Sequence, residues 1–244
     1  MPKVLKVRDK AESYRTPKKH LFDIPFCLLL VGKSYNSGKT NLATNLVLRD
    51  EFYREDFHGD NIYIVSGSLS NDNKLKAIVR EKEIPDSNLM SEFDEERLQM
   101  LYDIWEEAYE EAVSKKRKPD KVLLFLDDMS FGGNLKKSRN GILSRIAQNG
   151  RHILCSMLIT TQKYSDILPA VRANSTGCIF FATSPRELEL INDEHNYHMP
   201  RRDFRELFQS ATEKPHSFMA VNYSNPATSR YLDKEFAPLP HRRK

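Results

Sequence analysis

The stretch FCLLLVGKSYNSGKT, residues 26 to 40, constrains the fold more than any other part of the chain. Its first six residues are apolar without a break. Such a run reads as a strand buried on both faces, and strands of that kind belong to parallel sheets covered by helices. Leu42, Ala43, Leu46 and Val47 then recur at helical spacing. Buried strand, Ser/Gly/Asn-rich turn, Gly38-Lys39-Thr40 and helix thus follow one another directly. In that context a helix N-terminus can turn its backbone N–H groups onto a phosphate. A lysine there reaches the β- and γ-phosphates, and the hydroxyl after it binds Mg²⁺. The turn departs from the usual Gly, four residues, Gly-Lys-Ser/Thr: Lys33 stands where the first glycine is expected, and Gly32 lies one place early. Either the turn holds one extra residue or its first position tolerates a lysine. Both leave the functional end of the motif whole. The candidate nucleotide contacts are Gly32, Lys33, Ser34, Tyr35, Asn36, Ser37, Gly38, Lys39, Thr40 and Asn41, and the expected ligands are ATP and Mg²⁺. The bland alternative, an incidental lysine in a strand-to-helix turn, is disfavoured by the flanking elements.

The rest of the chain repeats the alternation. Residues 61 to 65 read as a second strand, 122 to 126 as a third, 153 to 161 as a fourth and 177 to 182 as a fifth. A long acidic helix is expected over 94 to 114, started by Asp94, with Leu98, Leu101, Ile104, Trp105 and Ala108 on one side. Another helix is expected over 142 to 149. Strands alternating with helices predict an α/β fold of three layers around a largely parallel central sheet. Residues 1 to 20 are basic and without period and read as an arm. Residues 21 to 244 read as one domain, with a motif core at 22 to 185 and an extension at 186 to 244 of mixed pattern.

Composition narrows the setting. A 39% hydrophobic content in 244 residues supports one sizeable core. A net charge of +4 is too mild to prove a nucleic-acid partner. Cys27, Cys155 and Cys178 are odd in number and each sits in an apolar run, so buried free thiols in a reducing compartment are expected. The longest apolar run is far too short to span a bilayer, and a soluble intracellular protein is expected. His195, His198 and His216 could suggest zinc, but without a cysteine pair they read as scattered surface histidines.

Two further signals pair with the phosphate loop. Asp127-Asp128 closes the third buried strand, where one carboxylate can serve Mg²⁺ and the other can polarise a water. Alone the pair is an ordinary acidic turn; beside the loop it gains weight. Gln162 closes the fourth strand after Thr160 and Thr161, where a glutamine can sense a γ-phosphate or orient water. Taken alone, Gln162 is a polar strand end. Taken alone, Arg145, Arg151 and Arg172 read as surface salt bridges. Lys136, Lys137 and Arg139 form a basic stretch after the third strand, either a solvated loop or, like the basic arm, a set of phosphate-backbone contacts.

RIAQNGRHILCSMLITTQ (residues 145 to 162) and VRANSTGCIFFATSP (171 to 185) make a resemblance specific. The Gly-Arg before a strand, the strand ending in Thr-Gln and the Arg-Ala-Asn before the next strand resemble the FtsK–HerA superfamily of DNA-pumping ATPases. A short chain with an Asp-Asp pair resembles, within it, the genome-packaging ATPases of large DNA viruses and virophages, the poxvirus type among them. The likeness runs over about residues 22 to 185. It implies a RecA-like P-loop ATPase that forms a homo-oligomeric ring, pentamer or hexamer, and moves double-stranded DNA into a preformed capsid. Capsid vertex proteins are implied partners. The implied location is the host cytoplasm or viral factory, or the virion. Carried over by position, Lys39 and Thr40 match the phosphate-loop pair, Asp127 the Mg²⁺-directed acid, Asp128 the catalytic acid and Gln162 the sensor. Arg151 stands where the family usually places its trans-acting finger, with Arg172 next. Asp128 replaces the glutamate of many relatives, whose longer side chain brings its carboxylate nearer the water. The other readings are a DNA-transfer ATPase of the same superfamily, a small-molecule or nucleoside kinase, and a nucleotide-binding scaffold without activity. A kinase predicts an acceptor pocket and no stimulation by DNA.

Overall fold

Strand β1 (Cys27–Val31) is buried at every residue and sits near the middle of the sheet. Around it lie β2 (Ile62–Val65), β3 (Leu89–Met90), β4 (Val122–Leu126), β5 (Cys155–Thr161), β6 (Gly177–Phe181), β7 (Phe218–Asn222) and β8 (Tyr231–Leu232). The structure is a computed structural model and describes residues 21–33, 37–128 and 141–240. The strand order is β3-β2-β4-β5-β1-β6-β7-β8. The first six in chain order are parallel; β7 pairs antiparallel with β6, and β8 antiparallel with β7. Each edge strand has two residues, and Leu232 of β8 bridges to Pro238 on its outer side.

The unbroken apolar runs are explained by what covers each face. Leu28 and Leu30 of β1 point into one cluster, with Ala43, Leu46 and Val47 of α1 (Lys39–Leu48) and Leu75 and Ile78 of α2 (Asn73–Lys82). Cys27, Leu29 and Val31 point into the other. That second layer is built by α3 (Glu95–Ser114), α4 (Ile142–Asn149), α5 (Pro169–Ala173), α6 (Pro185–His195) and α7 (Arg201–Thr212). Successive strand residues face opposite layers, so both layers demand apolar side chains. This is the three-layer α/β fold with a largely parallel sheet that the sequence predicts.

Several local expectations change. Asp94 does cap α3, accepting from the Arg97 N–H at 3.0 Å. Its buried face, however, is Leu98, Tyr102, Trp105 and Ala112, while Ile104 is 55% exposed and Ala108 is exposed too. A stripe stepping by four, three and seven residues leaves positions 104 and 108 to one side. The strand expected from 153 begins at Cys155, because a 3₁₀ turn covers Gly150–Ile153 and Leu154 is left-handed at φ 58°. Beyond 185, β7 pairs with β6 and so extends the same sheet. The three cysteines are free and buried. Burial raises the Cys27 thiol to about 12. Among the described residues no helix is long and apolar enough to cross a membrane.

Candidate nucleotide site

Parallel strands point their C-terminal ends at one edge of the sheet, and the sequence motifs gather there. The Gly32 N–H donates to the Thr161 carbonyl at 3.1 Å, which carries the β1–β5 pairing one residue past β1. Gly32 is glycine for lack of space: a Cβ there would lie 2.8 Å from Phe181 Cβ, at the end of β6. Gly38 caps α1 with φ +99°, a backbone that side chains other than glycine rarely adopt. The Lys39 ammonium donates to the carbonyls of Gly32 (2.7 Å) and Lys33 (3.0 Å) and lies 3.5 Å from Ser37 Oγ. Burial lowers its pKa, against the pull of the Asp128 and Asp127 carboxylates. Thr40 and Asn41 form the next two residues of α1. Ser34, Tyr35 and Asn36 lie outside the described residues.

The acidic pair splits into two environments. Asp127 is 3% exposed, and its Oδ1 accepts from Thr160 Oγ1 at 2.8 Å. Its Oδ2 accepts from Ser66 Oγ at 3.1 Å and lies 3.5 Å from Ser68 Oγ. Desolvation raises its pKa, opposed by the Thr160 and Ser66 hydrogen bonds. Asp128 is exposed and left-handed at φ 47°. Its N–H donates to Thr160 Oγ1 at 2.7 Å, and both its carboxylate oxygens accept from Gln162 Nε2, at 3.1 and 3.2 Å. One hydroxyl, on Thr160, therefore sets both aspartates. β5 lies between β1 and β4, which brings Gln162 between the phosphate loop and the acids. Ser66 and Ser68 carry no motif of their own, and Thr160 enters the sequence signal only as the start of the Thr-Thr-Gln strand end. Their position at the ends of β5 and β2 marks them.

The basic candidates separate. Arg151 is exposed in the turn before β5, at the opposite sheet edge from Gln162, where it lines a small cavity with Phe26 and Cys27. Arg172 is mostly enclosed: it pairs with Glu194 at 3.1 Å and sits 5.1 Å over the Tyr164 ring. Arg145 pairs with Asp103 and Glu106 and lies over the Tyr102 ring. Lys136, Lys137 and Arg139 lie outside the described residues.

The histidines are not uniformly on the surface. His195 is 2% exposed, because it closes an aromatic cluster with Tyr164, Phe180 and Tyr223. His216 is exposed, but it borders the phosphate loop. With Lys74 it completes a cavity of about 380 Å³ whose other walls are Ser37, Gly38, Lys39, Thr40 and Asn41. Among the described residues no cluster of His, Cys, Asp and Glu could hold a metal by itself.

A parallel sheet with a buried lysine at the start of α1, and two carboxylates and a glutamine on adjoining strand ends, defines an ATPase built on a phosphate-binding loop. The family model of the poxvirus A32 protein matches residues 14–223, and the chain belongs to that family. That family is one of packaging ATPases. The fold is similar to the genome packaging NTPase B204 of Sulfolobus turreted icosahedral virus 2 in complex with AMP. The two are 18% identical, over 82% of this chain and 93% of that one, at a TM-score of 0.55. B204 of Sulfolobus Turreted Icosahedral Virus, a DNA-packaging ATPase, is 17% identical over 81% and 92%, at 0.53. ATPases 2 and 3 of Thermomonospora curvata EccC give 12% over 81% of this chain and 34% of that one, at 0.51. No curated protein sequence matches the chain.

Proposed function

We propose that residues 21 to 244 form one ATPase domain that hydrolyses ATP with Mg²⁺ and uses the energy to drive double-stranded DNA into a preformed viral capsid. The observation that carries this reading is the meeting of Lys39, Asp127, Asp128 and Gln162 at one sheet edge. Lys39 neutralises the β- and γ-phosphates beside the free N–H groups at the start of α1. The buried Asp127 carboxylate, oriented by two hydroxyls, and the Thr40 hydroxyl are the hard oxygen donors that Mg²⁺ takes. When bound there, Mg²⁺ neutralises charge on the phosphate oxygens. Asp128, exposed and facing Gln162, orients and polarises the attacking water. Gln162 donates to Asp128 and is placed to trade that bond for one to the γ-phosphate. That B204 was solved with AMP, AMPPCP and ATP-gammaS supports a nucleotide on this fold.

A motor acts on its DNA without base preference, so the contacts are phosphates, supplied by Lys136, Lys137, Arg139 and the N-terminal arm. It works as a ring of copies in which Arg151, or failing it Arg172, completes the neighbour's site. The ring is a pentamer or hexamer docked on the capsid vertex, in the host cytoplasm or viral factory. The test is ATP hydrolysis with and without duplex DNA. Wild-type turnover is expected to need Mg²⁺ and rise with DNA. Asp128→Asn is expected to bind ATP yet lose about 10²–10⁴-fold in rate, the worth of a general base. Lys39→Ala is expected to be inactive. Full turnover in Lys39→Ala would overturn the site. Phosphorylation of a nucleoside with no response to DNA would replace the motor by a kinase.

A further inference from the structure

We propose that His216 is the base-contacting residue of the site, holding the purine ring of the nucleotide against its imidazole. The inference rests on the phosphate-loop reading and adds the end of the ligand that the motifs leave unassigned. The sheet order gives the site a direction. From β1, the carboxylates and Gln162 lie towards β5 and β4, so the γ-phosphate end of a nucleotide faces that flank. Its base must then leave on the other flank, over β6 and β7.

His216 is the ring that the fold puts there. β7 is antiparallel to β6, with Phe218 opposite Phe181, so the turn before β7 lies at the same edge as the phosphate loop. A parallel strand would have delivered that turn to the far edge. The turn carries His216 at φ +62°, a left-handed backbone that costs a non-glycine residue free energy. The result is an imidazole beside the loop: a Cβ on Gly38 would stand 3.4 Å from His216 Nδ1 and 3.5 Å from Phe181 Cε1. The cavity between His216, Lys74 and residues 37 to 41 has about 380 Å³. That lies within the roughly 300–1,000 Å³ of small-molecule sites. An imidazole ring, a flexible cation and the first N–H groups of a helix make a lining that suits a base, a ribose and an α-phosphate in turn.

The experiment compares ATP with inorganic tripolyphosphate, which has the phosphates and no base. Binding of each is measured for wild type, His216→Asn and His216→Phe. Asn tolerates the left-handed backbone without a ring, and Phe restores one. His216→Asn is expected to weaken ATP about ten-fold, within the range of base–aromatic stacking, and to leave tripolyphosphate unchanged. His216→Phe is expected to recover ATP affinity. Unchanged ATP binding in His216→Asn would overturn the inference, as would an equal loss for both ligands, which would make His216 a phosphate contact. The phosphate-loop reading is scored separately: if it fails, wild type binds neither ligand in a Lys39-dependent way, and both conclusions fall together.

Discussion

Thr160 shows how much of this site hangs on a side chain that touches no ligand in the proposed mechanism. Its hydroxyl donates to Asp127 and accepts from the Asp128 N–H. It is 0% exposed, so no water can replace it. Thr160→Val keeps the shape and removes the hydroxyl. Asp127 then loses its nearer donor, and the left-handed Asp128 loses the acceptor that holds its N–H. The expected result is a folded protein whose Mg²⁺-dependent turnover falls about 10–100-fold, the usual cost of losing an orienting partner. Wild-type turnover in that variant would show that the aspartates hold their places unaided. At this scale legibility follows sequence distance. Gly38-Lys39-Thr40 and Asp127-Asp128 are readable because each is contiguous, the first between a short polar turn and a helix, the second at the end of an apolar run. Thr160, Ser66 and His216 act across strands, and nothing local distinguishes them from ordinary strand ends and turns. Gly32 was visible as a misplaced glycine, but its reason, the Phe181 side chain, lies 149 residues further along the chain.

The element that the sequence disguised best is α6. Its run PRELELINDEH offers few apolar residues, yet Leu188, Ile191 and His195 are buried. The helix is anchored at its end by His195, whose Nδ1 bonds the Tyr223 hydroxyl. Around that imidazole stand Tyr164, Tyr223 of the segment after β7, Cys178 of β6, Arg172 of α5 and Glu194 of α6 itself. Desolvation, with Arg172 adding to it, lowers His195 to about 3. The sign follows: an unfolded histidine takes a proton near pH 6.5, the folded one resists it, so stability is complete above about 6.5 and falls as pH drops towards 3. At ~1.36 kcal/mol per pH unit, acidifying from 6.5 to 5 removes about 2 kcal/mol. His195→Phe, which fits the aromatic cluster and cannot titrate, is expected to be less stable at pH 7 yet lose about 2 kcal/mol less over that interval, read by denaturant unfolding at both pH values. An unaltered acid slope would place the titration elsewhere. The five strands around the motifs were legible because two covered faces force unbroken apolar runs. β3 was not, being two residues long, nor was β7, in a region whose helices dilute the pattern.

Over the whole molecule, β5 separates two tasks. Its seven residues, at about 3.3 Å each, set Gln162 and the turn bearing Arg151 roughly 20 Å apart on opposite sheet edges. Arg151 therefore cannot serve its own Lys39 site, and any finger function is exercised on a neighbour. Mixing Arg151→Ala with Lys39→Ala protein tests this. Each is expected to be inactive alone, and the mixture is expected to regain part of wild-type hydrolysis, because some interfaces then join an intact site to an intact finger worth about 10³–10⁵ in rate elsewhere. No recovery would sink Arg151 as the finger; recovery with Arg172→Ala instead would move the role. The edges of the sheet decide what kind of joint such copies can share. β3 and β8 offer two residues each, and Pro238 already occupies β8 at Leu232. Strands this short are poor templates for further pairing. In the proposed ring, copies are thus expected to meet through side chains of helices and loops and not through one continuous ladder at these edges. A seam of that kind can slide by a rotamer and re-form without tearing a row of backbone bonds, which suits a machine whose parts must shift past one another at every stroke.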